Sequence, residues 1–198
     1  MNLRKSTPRI VRVYGRRASR TVGAATAGMR MRPSAIVVGA QRCGTTSLYR
    51  ALMTHPAVLP PVMHKGINYF DVNYDRGPDW YYGHFPIQRR ARRAGGTSVA
   101  PIAFEASGYY MFHPLAPERL ARDLPDVKLI ALVRDPVERA YSAHKHEKAR
   151  GFESETFERA LGLEEERLDG EVERMRRDPT YHSFSHRHHA YRGRGRYA

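Results

Sequence analysis

Residues Gly39 to Ser47 read GAQRCGTTS. Two glycines spaced as in G-x-x-x-x-G, followed by threonines and a serine, are the residue types of a loop that holds phosphate. Glycine lets the backbone approach an anion, and successive N–H groups form a concavity for it. A helix starting there adds partial positive charge. The lysine that closes such a loop in nucleoside triphosphatases is absent, and Thr45 stands in its place. The nearby cation is Arg42, inside the loop. A magnesium–nucleotide complex suits this loop poorly. A phosphate-bearing ligand with fewer charges on its terminal group, needing no metal, suits it better. A tight glycine turn with no ligand is the plain alternative.

A second cluster lies further on. Arg134 ends the apolar run VKLIALV, at the strand edge where α/β proteins bind ligands, and the donor fork of a guanidinium matches a phosphate. A surface salt bridge is the alternative. Arg139, Ser142 and His146 follow at i, i+3 and i+7, so they share one face of a helix. If Ser142 faces a ligand, His146 is close to it.

The elements that must position these residues are readable. Ala35–Val38 predicts a buried strand ahead of the loop. Leu48, Ala51 and Leu52 predict one buried helix face behind it, ended by Pro56. Residues 59–100 read as loop-rich, with an aromatic cluster from Tyr69 to Phe85 and an exposed basic loop at Arg89–Gly96. Ile102–Ala106 predicts a strand and Ala116–Asp123 a helix. Val127–Val133 reads as a strand covered on both faces. Asp135, Pro136 and Glu138 are cap, first-turn proline and third-position acid, which start a helix. A further helix is expected over residues 154–168. The stretch from Tyr181 is basic and histidine-rich, and reads as solvated or substrate-facing. Strands alternating with helices predict an α/β fold on a parallel sheet.

Composition bounds the partners. The chain has 198 residues and a formal net charge of +14, and no acidic residue precedes Asp71. Anionic partners are expected. Charge alone gives nucleic-acid affinity without specificity, and no recognition motif accompanies it, so no specific nucleic acid is expected. Cys43 is the sole cysteine, which excludes an internal disulfide and a multi-cysteine zinc site and fits a reducing, cytoplasmic location. No run approaches the roughly 20 apolar residues of a membrane-spanning helix. No metal site is expected, the histidines from His182 to His189 included. Residues 1–33 read as a disordered basic tail, with a targeting peptide as an alternative, and 34–198 as one domain.

The motifs carry a family resemblance. IVVGAQRCGTTSLYRAL resembles the 5′-phosphosulfate loop of sulfotransferases that use 3′-phosphoadenosine 5′-phosphosulfate (PAPS). KLIALVRDPVERAYSAHKH resembles their 3′-phosphate segment. INYF, DWYYGHFP and FEASGYYMFHP resemble intervening blocks of the heparan-sulfate type and its bacterial relatives. The resemblance implies a three-layer, P-loop-like fold, its central parallel sheet flanked by helices and incomplete at the C-terminus. It implies that Arg42, Cys43, Gly44, Thr45, Thr46 and Ser47 hold the phosphosulfate, and that Arg134 and Ser142 hold the 3′-phosphate. Arg42 would offset charge on the bridging oxygen. His146 would serve as acid, base or orienting group, and Lys65 would bind sulfate or an anionic acceptor. The acceptor would be a carbohydrate or small molecule.

One position departs from the pattern. The family's general-base glutamate, next to Lys65, is Gly66 here, and glycine cannot accept a proton. His64 and Glu105 are nearby substitutes, with a structural hydrogen-bonding role the other reading of Glu105. The expectation is a PAPS-dependent sulfotransferase. The alternatives are a catalytically impaired nucleotide-binding remnant, a P-loop kinase or triphosphatase, and a nucleic-acid-binding protein.

Overall fold

A computed structural model describes residues 21–89, 91 and 100–197. Four parallel strands form one sheet in the order β2-β3-β1-β4: β1 Pro33–Gly39, β2 Val58–Leu59, β3 Ile102–Ala106 and β4 Lys128–Ala131. In the central pairings Ile36 stands beside Glu105 on one side and Leu129 on the other. Parallel neighbours require crossovers, and helices supply them: α1 Thr45–Leu52, α2 Pro78–Tyr82 and α3 Ala116–Asp123. After β4 the chain is helical, with α4 Pro136–Ala149, α5 Phe157–Gly162, α6 Glu164–Leu168, α7 Glu171–Arg177 and α8 Phe184–His188. The expected α/β class and parallel sheet are present.

The core is aromatic. Tyr69, Phe70, Tyr81, Phe85 and Tyr110 pack with Ile36, Val38 and Ala103, so the aromatic cluster of the loop-rich segment fills the interior. β3 and α3 have the bounds that the sequence predicts. The Asp135 side chain accepts from the Glu138 N–H at 2.9 Å and caps α4.

Several expectations are corrected. Residues 21–33, expected in the tail, are ordered: residues 21–25 are helical, and Ala27 and Met31 join the core. Residues 1–20, and all of the expected basic loop 89–96 except Arg89 and Ala91, lie outside the described residues. The α1 face of Leu48, Ala51 and Leu52 has no buried member. β4 is shorter than expected and lies at the sheet edge, with Leu129 56% and Val133 60% exposed. An apolar run signals affinity for cover, and an edge strand receives it from one side. Residues 154–168 form two helices, because Thr156 caps the first by accepting from the Arg159 N–H and the chain turns at Leu163. The histidine-rich stretch folds inward: Ser183, His186, Tyr191 and Arg194 are buried.

Candidate functional site

The phosphate loop leaves the C-terminal end of β1. A Cβ on Gly39 would stand 2.9 Å from the Met111 Cβ, so the close approach of the two segments requires glycine. Gly44 caps α1 at φ 81°, a conformation that strains other residues. Arg42 also adopts a positive φ, of 72°. The N–H groups of Gly44, Thr45 and Thr46 make no hydrogen bond among the described residues. They form the start of α1, where an anion is favoured. Two other expected ligands are otherwise engaged. The Cys43 N–H bonds the Ala40 carbonyl at 3.2 Å, and its buried thiol lies 3.7 Å from the Tyr197 hydroxyl. The Ser47 N–H bonds the Gly44 carbonyl at 2.9 Å, leaving its hydroxyl.

The lysine missing from the loop arrives from another segment. Lys65 Nζ donates to Thr46 Oγ1 at 2.9 Å and to Thr45 Oγ1 at 3.2 Å. Its backbone is tied to the end of β3. The Ala106 N–H bonds the Lys65 carbonyl at 3.4 Å, the Asn68 N–H bonds Ser107 Oγ at 3.0 Å, and the Tyr69 N–H bonds the Tyr110 hydroxyl at 2.7 Å. Beneath this loop sits the fully buried Glu105 carboxylate. It accepts from Ser107 at 2.9 Å, Tyr81 and Tyr110 at 3.0 Å, and the Ile67 N–H at 3.4 Å. Burial raises its pKa to about 7 against the pull of those donors. Glu105 is therefore a structural anchor for the Lys65 loop. Burial, and then Arg50, lower the pKa of Lys65 itself. An anion at the loop would relieve both effects.

Beside the loop lies a cleft of about 430 Å³ lined by Arg42, Arg134, Glu138, Tyr141, Ser142 and Lys145. Arg42 Nε donates to Ser142 Oγ at 3.1 Å, joining the two motifs across the fold. Arg134 donates from two nitrogens to Glu138, at 2.7 and 3.0 Å. Both partners are substantially exposed, so the pair is weak and an incoming phosphate competes with it readily. Lys145 escaped the sequence reading, although it stands three residues from Ser142 on the same helix face. Of the expected helix face, Arg139 is fully buried and donates to the Tyr191 carbonyl, while Ser142 and His146 are half-buried. Burial lowers the His146 pKa, Arg42, Arg150 and His188 add to that effect, and Glu147 opposes it. The net effect favours the neutral imidazole. His64 packs against the ring of His84, 5.6 Å between centroids. Among the described residues no three His, Cys, Asp or Glu side chains converge as metal ligands, and no helix is long and apolar enough to cross a membrane.

Known proteins are similar to this chain in sequence and fold. Residues 32–175 match the family model of the sulfotransferase domain. The chain is 34% identical over 122 residues to the human bifunctional heparan sulfate N-deacetylase/N-sulfotransferase 3, covering 59% of this chain and 13% of that protein. It is 35% identical over 124 residues to the bovine bifunctional heparan sulfate N-deacetylase/N-sulfotransferase 2, covering 60% of this chain and 13% of that protein. The crystal structure of a sulfotransferase from Alicyclobacillus acidocaldarius superimposes with a TM-score of 0.54 at 30% identity, over 83% of this chain and 64% of that one. The match thus spans about one eighth of the curated relatives and less than two thirds of the bacterial enzyme.

Proposed function

The chain belongs to the sulfotransferase family, and on that premise we propose that it transfers a sulfuryl group from PAPS to a hydroxyl or amine of a carbohydrate or small molecule. The observation that carries this reading is the Lys65 ammonium seated on the Thr45 and Thr46 hydroxyls. It supplies, from outside the loop, the lysine that the loop sequence lacks at Thr45. The residues present suit the donor. The free N–H groups of Gly44, Thr45 and Thr46, with Lys65, would hold its 5′-phosphosulfate. Arg134 and Ser142, joined by Lys145, would hold its 3′-phosphate. When bound, the donor supplies the sulfuryl group and a phosphate as leaving group.

Transfer of this kind needs positioning and charge stabilisation more than covalent catalysis. Lys65 would offset the charge that grows on the bridging oxygen as its bond to sulfur breaks, and Arg42 would share that role on leaving Ser142. The acceptor oxygen or nitrogen forms the new bond to sulfur in line with that departure. Neutral His146 takes the acceptor's proton, a role that Gly66 cannot fill. Relatives named for heparan sulfate N-sulfation support a carbohydrate acceptor.

A second reading has its own observation. Gly66 leaves no carboxylate beside Lys65, which favours a protein that binds the nucleotide without transferring sulfate. Incubation with sulfur-labelled PAPS and a panel of glycan and small-molecule acceptors separates the two. Labelled product supports transfer. Nucleotide binding with no labelled product on any acceptor supports the second reading. Magnesium-dependent ATP binding in place of either overturns both.

A further inference from the structure

A second cleft, of about 140 Å³, opens at the phosphate loop, lined by Gln41, Asn68, Arg150, Arg187, His188 and Arg194 together with Gly108 and Tyr109. Three arginines and a histidine line it, and no lining residue is acidic. Behind it the buried Glu147 carboxylate is already shared, by His188 at 3.0 Å, Gln41 at 3.4 Å and Arg150 at 3.5 Å. The Arg187 guanidinium makes no hydrogen bond or close ion pair among the described residues; the buried Asp71 carboxylate, outside the cleft lining, acts on it only through space.

Arg194 is the most telling of the group. It is 7% exposed, yet among the described residues it forms an ion pair with no carboxylate. It donates to Gln41 Oε1 and to the carbonyls of His186 at 2.9 Å and Arg187 at 2.6 Å. It lies over the rings of Tyr109 and Phe112, at 4.9 and 5.0 Å. Its Nε has no hydrogen-bond partner among the described residues. A buried cation held by neutral groups costs free energy that an anion would offset.

The position of the cleft limits what enters it. Gln41 belongs to the phosphate loop, and Asn68 lies three residues from Lys65. A group seated here is therefore next to the transfer site. The volume suits a carboxylate or a sulfate and excludes a nucleotide. We propose that this cleft binds an anionic group, a carboxylate or sulfate ester, carried by the acceptor. That the acceptor carries this group rests on the sulfuryl-transfer reading; the anion site does not.

The test is a calorimetric titration of the full chain with a heparin-derived tetrasaccharide and with cellotetraose, an uncharged oligosaccharide of the same length. It is run with and without 3′-phosphoadenosine 5′-phosphate (PAP). The tetrasaccharide binds and cellotetraose does not. Arg187→Ala weakens tetrasaccharide binding about tenfold or more, the value of a lost charge-assisted hydrogen bond. Arg187→Lys recovers part of that loss, and PAP binding is unchanged by either variant. Arg176→Ala, exposed on α7 and outside the cleft, serves as the control for diffuse charge and changes binding less than about twofold. Equal losses from Arg176→Ala and Arg187→Ala, no loss from Arg187→Ala, or equal binding of cellotetraose would each overturn the proposal. Tetrasaccharide binding that depends on Arg187 in a protein that ignores PAP would leave the anion site standing and remove the sulfotransferase reading.

Discussion

Lys65→Met isolates the contribution of the cation that reaches the phosphate loop. Methionine keeps the length and apolar stem of lysine and removes the ammonium with its bonds to Thr45 and Thr46. Hydrogen bonds to charged groups are worth roughly 1.5–3 kcal/mol, so PAP affinity is expected to fall about tenfold to a hundredfold. Stability is expected to move the other way. Burial and Arg50 disfavour the charged lysine in the folded protein. A lysine whose folded pKa lies below its unfolded value binds its proton less well when folded, so its charge opposes folding at neutral pH. The variant should therefore melt at the same temperature as the parent or higher while binding PAP more weakly. The assay pairs a thermal melt without ligand with calorimetric titration of PAP. Undiminished PAP affinity in a folded Lys65→Met protein would refute the reasoning, as would a variant that unfolds because the lysine is a structural strut.

Three further outcomes follow from the site. Arg134→Ala should weaken PAP binding about tenfold, whereas His146→Ala should leave binding nearly intact and abolish transfer; equal losses of binding would contradict the division of roles. Gly66→Glu should raise transfer by adding a carboxylate beside Lys65 to the base supplied by His146, its Cβ meeting the Ala106 carbonyl oxygen at 3.3 Å and needing a shift of a few tenths of an ångström; unchanged transfer in a folded, PAP-binding variant would show that a carboxylate at this position does not assist the reaction. Glu105 should give stability a pH dependence. Its folded pKa of about 7 lies above the ordinary 4.5, so its contribution is complete below pH 4.5 and falls away as pH rises toward 7. The gap corresponds to roughly 3 kcal/mol. Glu105→Gln, which cannot ionise, should show a smaller loss between pH 5 and pH 8 in denaturant titrations; identical slopes would show that Glu105 stays ionised throughout.

The parts of this fold that sequence reveals are those written locally. The bounds of β3 and α3 follow from apolar period and a flanking proline, and the start of α4 follows from Asp135, Pro136 and Glu138. The phosphate loop is legible because its glycines answer a backbone demand, seen in the Gly39 approach to Met111 and the positive φ of Gly44. Other features depend on partners distant in sequence. Nothing near Lys65 indicates that its ammonium meets Thr45 and Thr46, since that contact is set by hydrogen bonds to Ser107 and Tyr110. The inward packing of His186 and Arg194 arises from Tyr109 and Phe112. The exposure of β4 reflects its place at the sheet edge, which an apolar run cannot announce.

The central claim is a nucleotide site built from the loop, Lys65 and Arg134, and calorimetric titration of the chain with PAP, with magnesium ATP in a parallel cell, tests it most directly. The account predicts saturable PAP binding that needs no metal and exceeds that of magnesium ATP. A folded protein that ignores PAP, or binds magnesium ATP more tightly, would contradict it.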